Sequence, residues 1–155
     1  MRFILLVSAL ALAGCGSSEE TTTIAGTTYS SNDKEGTASI KSSDGEVSVV
    51  DGAAANKVEM PAFAPRYPGS TITGVIETKK AGHVSTMVNL RSADAPAAVA
   101  TFYRDSFTKN GMKMTSDLPA EEGAMLTAEG KGNKVTVVVS QEDGSTLATI
   151  SHSAL

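Results

Sequence analysis

The sequence predicts an α+β domain: an antiparallel β-sheet with one α-helix packed on one face, preceded by a flexible tether. Three observations predict it. Several short runs alternate apolar and polar residues and are separated by turn residues, the pattern of half-buried strands. A single stretch, Val99, Phe102, Tyr103 and Phe107, shifts the period to near 3.6, which is helical spacing. From Gly16 to Gly36 the chain is Ser, Thr, Gly, Asn and acid with scarcely an apolar residue, so by this criterion burial cannot offset its ordering entropy.

Residues 15–35 are therefore read as a tether. Treated as a flexible coil, about 20 residues would hold the domain roughly 25 Å from an anchored end. Thr37–Ser42 and Glu46–Val50 flank Ser43-Asp44-Gly45, whose Asp-Gly supplies the turn chemistry of a tight hairpin. Asp51–Lys57 is an Ala-rich loop. Met60-Pro61-Ala62-Phe63-Ala64-Pro65-Arg66-Tyr67-Pro68-Gly69 follows, and its three prolines fix φ and keep their predecessors extended, making a stiff strap that ends in a Pro-Gly turn.

Thr71–Thr78 and Val84–Leu90 alternate and should pair across Lys79-Lys80-Ala81-Gly82. Asp94-Ala95-Pro96 then opens the helix, with Pro96 in the first turn, where no N–H is needed; Asp94 and Ala95 both remain candidates for its N-cap. Asn110-Gly111 closes it, Gly111 suiting the left-handed position after the last turn. Phe102 is expected to face the sheet and Arg104 the solvent. Met112–Thr115, Ala124–Glu129, Lys134–Ser140 and Thr146–Ser151 read as four more strands, separated by Asp117-Leu118-Pro119, Gly130-Lys131-Gly132-Asn133 and Glu142-Asp143-Gly144.

Ahead of the tether, Met1-Arg2 and an apolar run to Ala13 have the layout of a secretory signal. The run is far shorter than the roughly 20 residues of a membrane span. It ends in Leu12-Ala13-Gly14-Cys15, which resembles the lipobox of bacterial lipoprotein precursors. That resemblance implies removal of residues 1–14 as a signal peptide and lipidation of Cys15, with two or more acyl chains giving a stable anchor. Gly16 and Ser17 follow where enteric lipoproteins retained in the inner membrane carry Asp, so the expected address is the outer membrane, facing the periplasm. The division is then 1–14 signal peptide, 15–35 lipidated cysteine and tether, and 36–155 a single periplasmic domain.

The length of 155 residues suits one domain with a linker. With 13 Lys and Arg against 17 Asp and Glu, the charge balance argues against a nucleic-acid partner, which requires clustered cations. Cys15 is the sole cysteine, so no disulfide can form within the chain.

Candidate chemistry is sparse. His83 and His152 lie on different strands without the spacing of a zinc site, and no serine sits in a nucleophile elbow. Glu121-Glu122 are neighbours on a loop rather than carboxylates facing across a cleft. Gly130-x-Gly132 lacks a following helix and reads as a turn. Lys79-Lys80 with His83 form a hairpin tip, the ordinary place for solvated lysines. Phe63, Tyr67, Tyr103 and Phe107 are core residues or the lining of a small apolar pocket. No enzyme, metal or cofactor is expected.

Phe63-Ala64-Pro65-Arg66-Tyr67-Pro68-Gly69-Ser70, Val99-Ala100-Thr101-Phe102-Tyr103 and Asn110-Gly111-Met112 together resemble a pattern of small uncharacterised bacterial envelope lipoproteins. Met112 stands where that pattern usually has an aromatic. The resemblance brings no catalytic residue. The expected function is thus a lipid-anchored, non-enzymatic adaptor, its partners being the membrane through the lipid and an envelope protein. The rival is a binder or carrier of a small apolar or lipid ligand beneath the strap, which needs an unfilled apolar cavity of roughly 300 Å³ or more.

Overall fold

Hairpin after hairpin builds one antiparallel sheet. The structure, a computed structural model, describes residues 19–155. Its strands are β1 (Glu19–Ile24), β2 (Thr27–Asn32), β3 (Thr37–Ser42), β4 (Gly45–Asp51), β5 (Thr71–Lys80), β6 (His83–Ser92), β7 (Lys113–Ala120), β8 (Gly123–Gly130), β9 (Asn133–Glu142) and β10 (Ser145–Ala154). A helical turn, α1 (Gly52–Ala55), follows β4, and the long helix α2 (Pro96–Lys109) separates β6 from β7. The spatial order is β1-β2-β3-β4-β5-β6-β10-β9-β8-β7, so the last hairpins fold back and β10 completes the sheet beside β6. Four turns use a residue pair with positive φ at both positions, Ala25-Gly26, Ala81-Gly82, Lys131-Gly132 and Asp143-Gly144. That geometry matches the twist of the strands it joins.

These elements correct the predicted class. Strand accounts for 59% of the described residues and helix for 13%, so the molecule is one large ten-stranded antiparallel sheet carrying a helix rather than the predicted α+β domain of a smaller sheet and helix behind a tether. The predicted tether is corrected with it. Residues 19–32 form β1 and β2, paired from Glu19↔Asn32 to Ile24↔Thr27. β1 buries nothing, so apolar burial cannot explain it. Its threonines are β-branched and suit an extended backbone, and the growing edge of a sheet satisfies their backbone groups. Cys15 and the signal segment lie outside the described residues.

Two smaller expectations change. Asp117-Leu118-Pro119 is not a turn but part of the second half of β7, where proline is tolerated because β7 is an edge strand among the described residues. The Ala-rich loop after β4 contains α1.

The helix lies on one face of the sheet, against β7 to β10. Val99, Ala100, Tyr103, Ser106 and Phe107 are its buried residues, and they meet Val88, Leu126, Val137 and Ile150 in the core. Ala95 is the N-cap, without a side-chain hydrogen bond. At the other end Met112 N–H donates to Phe107 C=O at 2.9 Å and Gly111 N–H to Thr108 C=O at 3.1 Å, with Gly111 at φ +69°; this is a Schellman cap. Phe102 departs from expectation. It is only partly buried, its ring set edge-on against Tyr67 at 5.1 Å and Tyr103 at 5.2 Å. Arg104 is not merely solvated either, because Nε and Nη2 donate to the two carboxylate oxygens of Asp117, each at 2.8 Å. The fork clasps α2 to β7 and holds the Asp117 carboxyl below its ordinary pKa.

Candidate functional site

On the helix-bearing face, register and side-chain alternation define what each strand presents. Val50, Val75, Val88, Ile150, Val137 and Leu126 stand in one cross-strand row, since Val50 pairs with Val75, Val75 with Val88, Val88 with Ile150, Ile150 with Val137 and Val137 with Leu126. The helix covers the β7–β10 half of this face. Over β4 and β5 the cover is the strap.

Hydrogen bonds fix that strap at both ends. Asn56 Oδ1 accepts from Ile72 N–H at 3.0 Å and Asn56 Nδ2 donates to Ile72 C=O at 3.1 Å, so its amide pairs with the start of β5 as a strand residue would. Arg66 Nε donates to Ser70 C=O at 2.9 Å and Arg66 Nη2 to Asn56 Oδ1 at 3.1 Å. Tyr67-Pro68-Gly69-Ser70 closes as a turn, Ser70 N–H to Tyr67 C=O at 3.1 Å, with Gly69 at φ +75°. The Tyr67 hydroxyl donates to Asp94 Oδ2 at 2.7 Å, and that carboxylate raises the tyrosine pKa. Ser106 Oγ on α2 donates to Phe63 C=O at 3.2 Å.

Between strap and sheet lies a groove of about 560 Å³. Val58, Met60 and Pro61 form its strap side and Val50 and Val75 its floor, while Ser48, Glu59, Glu77, Thr86 and His152 give it polar walls. Phe63 stands edge-on to the imidazole of His152 at 5.9 Å. Burial lowers the pKa of His152, and Glu77 partly opposes the shift. Glu77 itself bonds Lys79 Nζ at 2.8 Å, which raises the lysine pKa. The site can therefore hold an apolar group and offer a neutral imidazole and hydroxyls to a polar one. A second hollow, of about 350 Å³, lies toward β1–β3 and shares Ser48 and Val50 with the groove.

The sequence-derived candidates scatter. His83 is exposed at the start of β6 and His152 lies in the groove. Lys79, Lys80 and His83 line a separate hollow of about 330 Å³ at the hairpin tips, with Lys41, Asp44 and Glu46. Glu121 and Glu122 form the β7–β8 turn and Lys131-Gly132 the β8–β9 turn. Among the described residues no three His, Cys, Asp or Glu side chains gather as metal ligands. The aromatic group divides. Tyr67, Tyr103 and Phe107 are core, and Phe63, partly buried against that core, meets the groove only through its edge contact with His152. Val50, Val58, Val75 and Thr86 went unnoticed as site residues, because the strap that assembles them crosses strands distant in sequence. Three prolines in a short apolar segment were the available signal.

A START domain-like family matches residues 72–144, from β5 through α2 to the turn before β10. No curated protein and no solved structure matches the chain.

Proposed function

We propose that this domain binds a small apolar or lipid ligand in the groove beneath the strap, and acts by binding rather than by catalysis. The observation that carries the reading is the groove itself: about 560 Å³ of unfilled space between valines of the sheet and Val58, Met60 and Pro61 of a hydrogen-bonded strap. A domain that only docks to another protein needs no such space. The START domain-like likeness supports the same class of ligand, lipid or apolar. Binding of a 12-carbon monoacylglycerol below its aggregation concentration, followed by NMR of the valine methyls, tests it. Saturable shifts should centre on Val50, Val58 and Val75, and Val50→Trp should weaken binding at least tenfold, about 1.4 kcal/mol. Shifts spread over the whole surface, or none, would refute the reading.

The adaptor reading keeps one observation in its favour. On the opposite face Tyr29, Ile40 and Val47 stand in register, Tyr29 against Ile40 and Ile40 against Val47, and all three are exposed at 36–47%. Crosslinking from Ile40 in whole cells separates it from the ligand-binding reading.

We also propose that the protein is lipid-anchored through Cys15 in the bacterial envelope, at the outer membrane facing the periplasm. The lipobox-like Leu12-Ala13-Gly14-Cys15 supports this. Cys15→Ser should leave the precursor uncut by intact mass, and normal processing of that variant would refute it.

A further inference from the structure

We infer that the groove continues into a headgroup subsite on the β1–β4 part of the same sheet face, and that this subsite takes a neutral, hydroxylated headgroup of the glycerol or sugar kind. The inference rests on the apolar-ligand reading of the groove. Its basis is a second cross-strand row. Thr21 pairs with Ser30, Ser30 with Ser39, Ser39 with Ser48, Ser48 with Glu77, Glu77 with Thr86, and Thr86 with His152. Cross-strand neighbours are spaced about 4.8 Å apart. From Thr21 to Ser48, which belongs to the groove wall, the row therefore runs as a line of hydroxyls, before Glu77 interrupts it, and the Thr21 and Ser30 hydroxyls are within 3.2 Å of each other.

The apolar row changes character at the same place. It is Val75 and Val50 at the groove and becomes Thr37 and Asn32 beyond it. The smaller hollow sits over this change, sharing Ser48 and Val50 with the groove. A ligand whose chain lies on Val50 and Val75 thus has its polar end over Ser39 and Ser30. Each hydroxyl can both donate and accept, which matches a hydroxylated partner; the Ser48 hydroxyl donates to Glu46 Oε1 at 3.5 Å and keeps its oxygen as an acceptor. Glu19, Glu35 and Glu46 line the hollow, so an anionic headgroup meets like charge. Two lysines face Glu46 across the strands, Lys79 and Lys41; Lys79 is already bonded to Glu77, and Lys41 lines the separate hollow at the hairpin tips rather than this one.

The test compares three 12-carbon probes, dodecyl glucoside, dodecanoate and dodecylammonium, and free glucose, each below aggregation. Titrations use the chain from Gly16 to Leu155, which carries the whole sheet. Dodecyl glucoside should bind at least tenfold tighter than dodecanoate and tighter than dodecylammonium, and it should shift the amides of Ser30 and Ser39. Free glucose should bind at least a hundredfold more weakly than the glucoside. Ser30→Val with Ser39→Val, strand-compatible on both positions, should remove the preference for glucoside over dodecanoate. Equal binding of glucoside and dodecanoate by the unaltered chain overturns the inference, as does a stronger dodecylammonium complex or a preference that survives the double variant. Free glucose binding as tightly as the glucoside overturns it too, because the hollow would then be a sugar site independent of the groove. Failure of all three alkyl probes refutes the groove reading itself.

Discussion

Phe107 and Phe102 sit five residues apart on α2, carry the same side chain and should differ clearly in what their loss costs. Phe107 is wholly buried, and it is the residue whose carbonyl accepts the Schellman bond from Met112. Truncation to Ala leaves a cavity between helix and sheet, and the usual cost of such a change is about 3–5 kcal/mol. Phe102 is only partly buried, so its burial contributes about half of the roughly 1.5–3 kcal/mol of a fully buried side chain. Its edge contacts with Tyr67 and Tyr103 add roughly 0.5–1.5 kcal/mol, giving about 2 kcal/mol for Phe102→Ala. Total stability of a domain is about 5–15 kcal/mol, so Phe102→Ala should remain folded in water, and Phe107→Ala should too except at the bottom of that range. Urea unfolding decides the matter: the midpoint should fall further for Phe107→Ala than for Phe102→Ala, at unchanged slope. An equal or larger loss at Phe102 would mean that α2 presents a different stripe to the sheet from the one its burial describes.

Three further outcomes follow from particular residues. Tyr103 has a buried hydroxyl without a hydrogen-bond partner among the described residues, and burial drives its pKa upward; since an unsatisfied hydroxyl costs about 1–3 kcal/mol, Tyr103→Phe should not lower the urea midpoint, and a clear loss would show that a water serves the hydroxyl. His152 has a pKa lowered by burial, so its contribution to stability is complete above about pH 6.5, the free imidazole value, and is lost as pH falls from there through the folded pKa; His152→Gln should flatten the fall of the midpoint between pH 7 and 5, and an unchanged profile assigns that fall to other groups. Starting the chain at Gly36 removes β1 and β2, which hold no fully buried residue, so the melting temperature should change by only a few degrees, while a loss above 10 °C would give those strands an energetic role their exposure does not show.

What was legible follows from local chemistry. Pro96 and Asn110-Gly111 mark the ends of α2 because each acts within one turn of its own position, and the β5–β6 and β8–β10 hairpins are announced by dipeptides that tolerate positive φ. The failures have non-local causes. β1 and β2 carry almost no apolar signal because they are held not by burial but by a ladder onto β3; Ala25-Gly26 between two Thr-rich runs is the sequence signal for the hairpin. Pro119 looked like a break, and only the strand order shows that it lies on an edge. On α2 the apolar identity of Phe102 outweighed its angular position: Ala100 and Ser106 take the buried places because small residues admit the strap and sheet closely, as the Ser106 bond to Phe63 shows. Arg104 could be placed on the polar side of the helix but not opposite Asp117, since nothing local pairs residues 13 apart across a helix–strand boundary. The groove was legible only as a rival reading, its strap recognised and its floor not.

The correction of the tether changes the geometry of the proposed anchor more than it changes stability. From Cys15 to Glu19 there are four residue steps, which span at most about 14 Å when fully extended; a coil of twenty residues would have allowed roughly 25 Å on average and more when stretched. Were Cys15 lipidated, β1 would be held within that shorter reach of the acyl chains. β1 is the outer edge of the hydroxyl-bearing half of the sheet, and β5, on the groove floor, lies four strands further in, about 19 Å at the spacing of paired strands. An anchor at Cys15 therefore brings the hydroxyl row closer to the lipid headgroups than the apolar groove. That order suits a ligand whose polar end stays near the membrane surface while its chain is taken under the strap. β1, the outermost strand among the described residues, would then lie against a crowded polar interface.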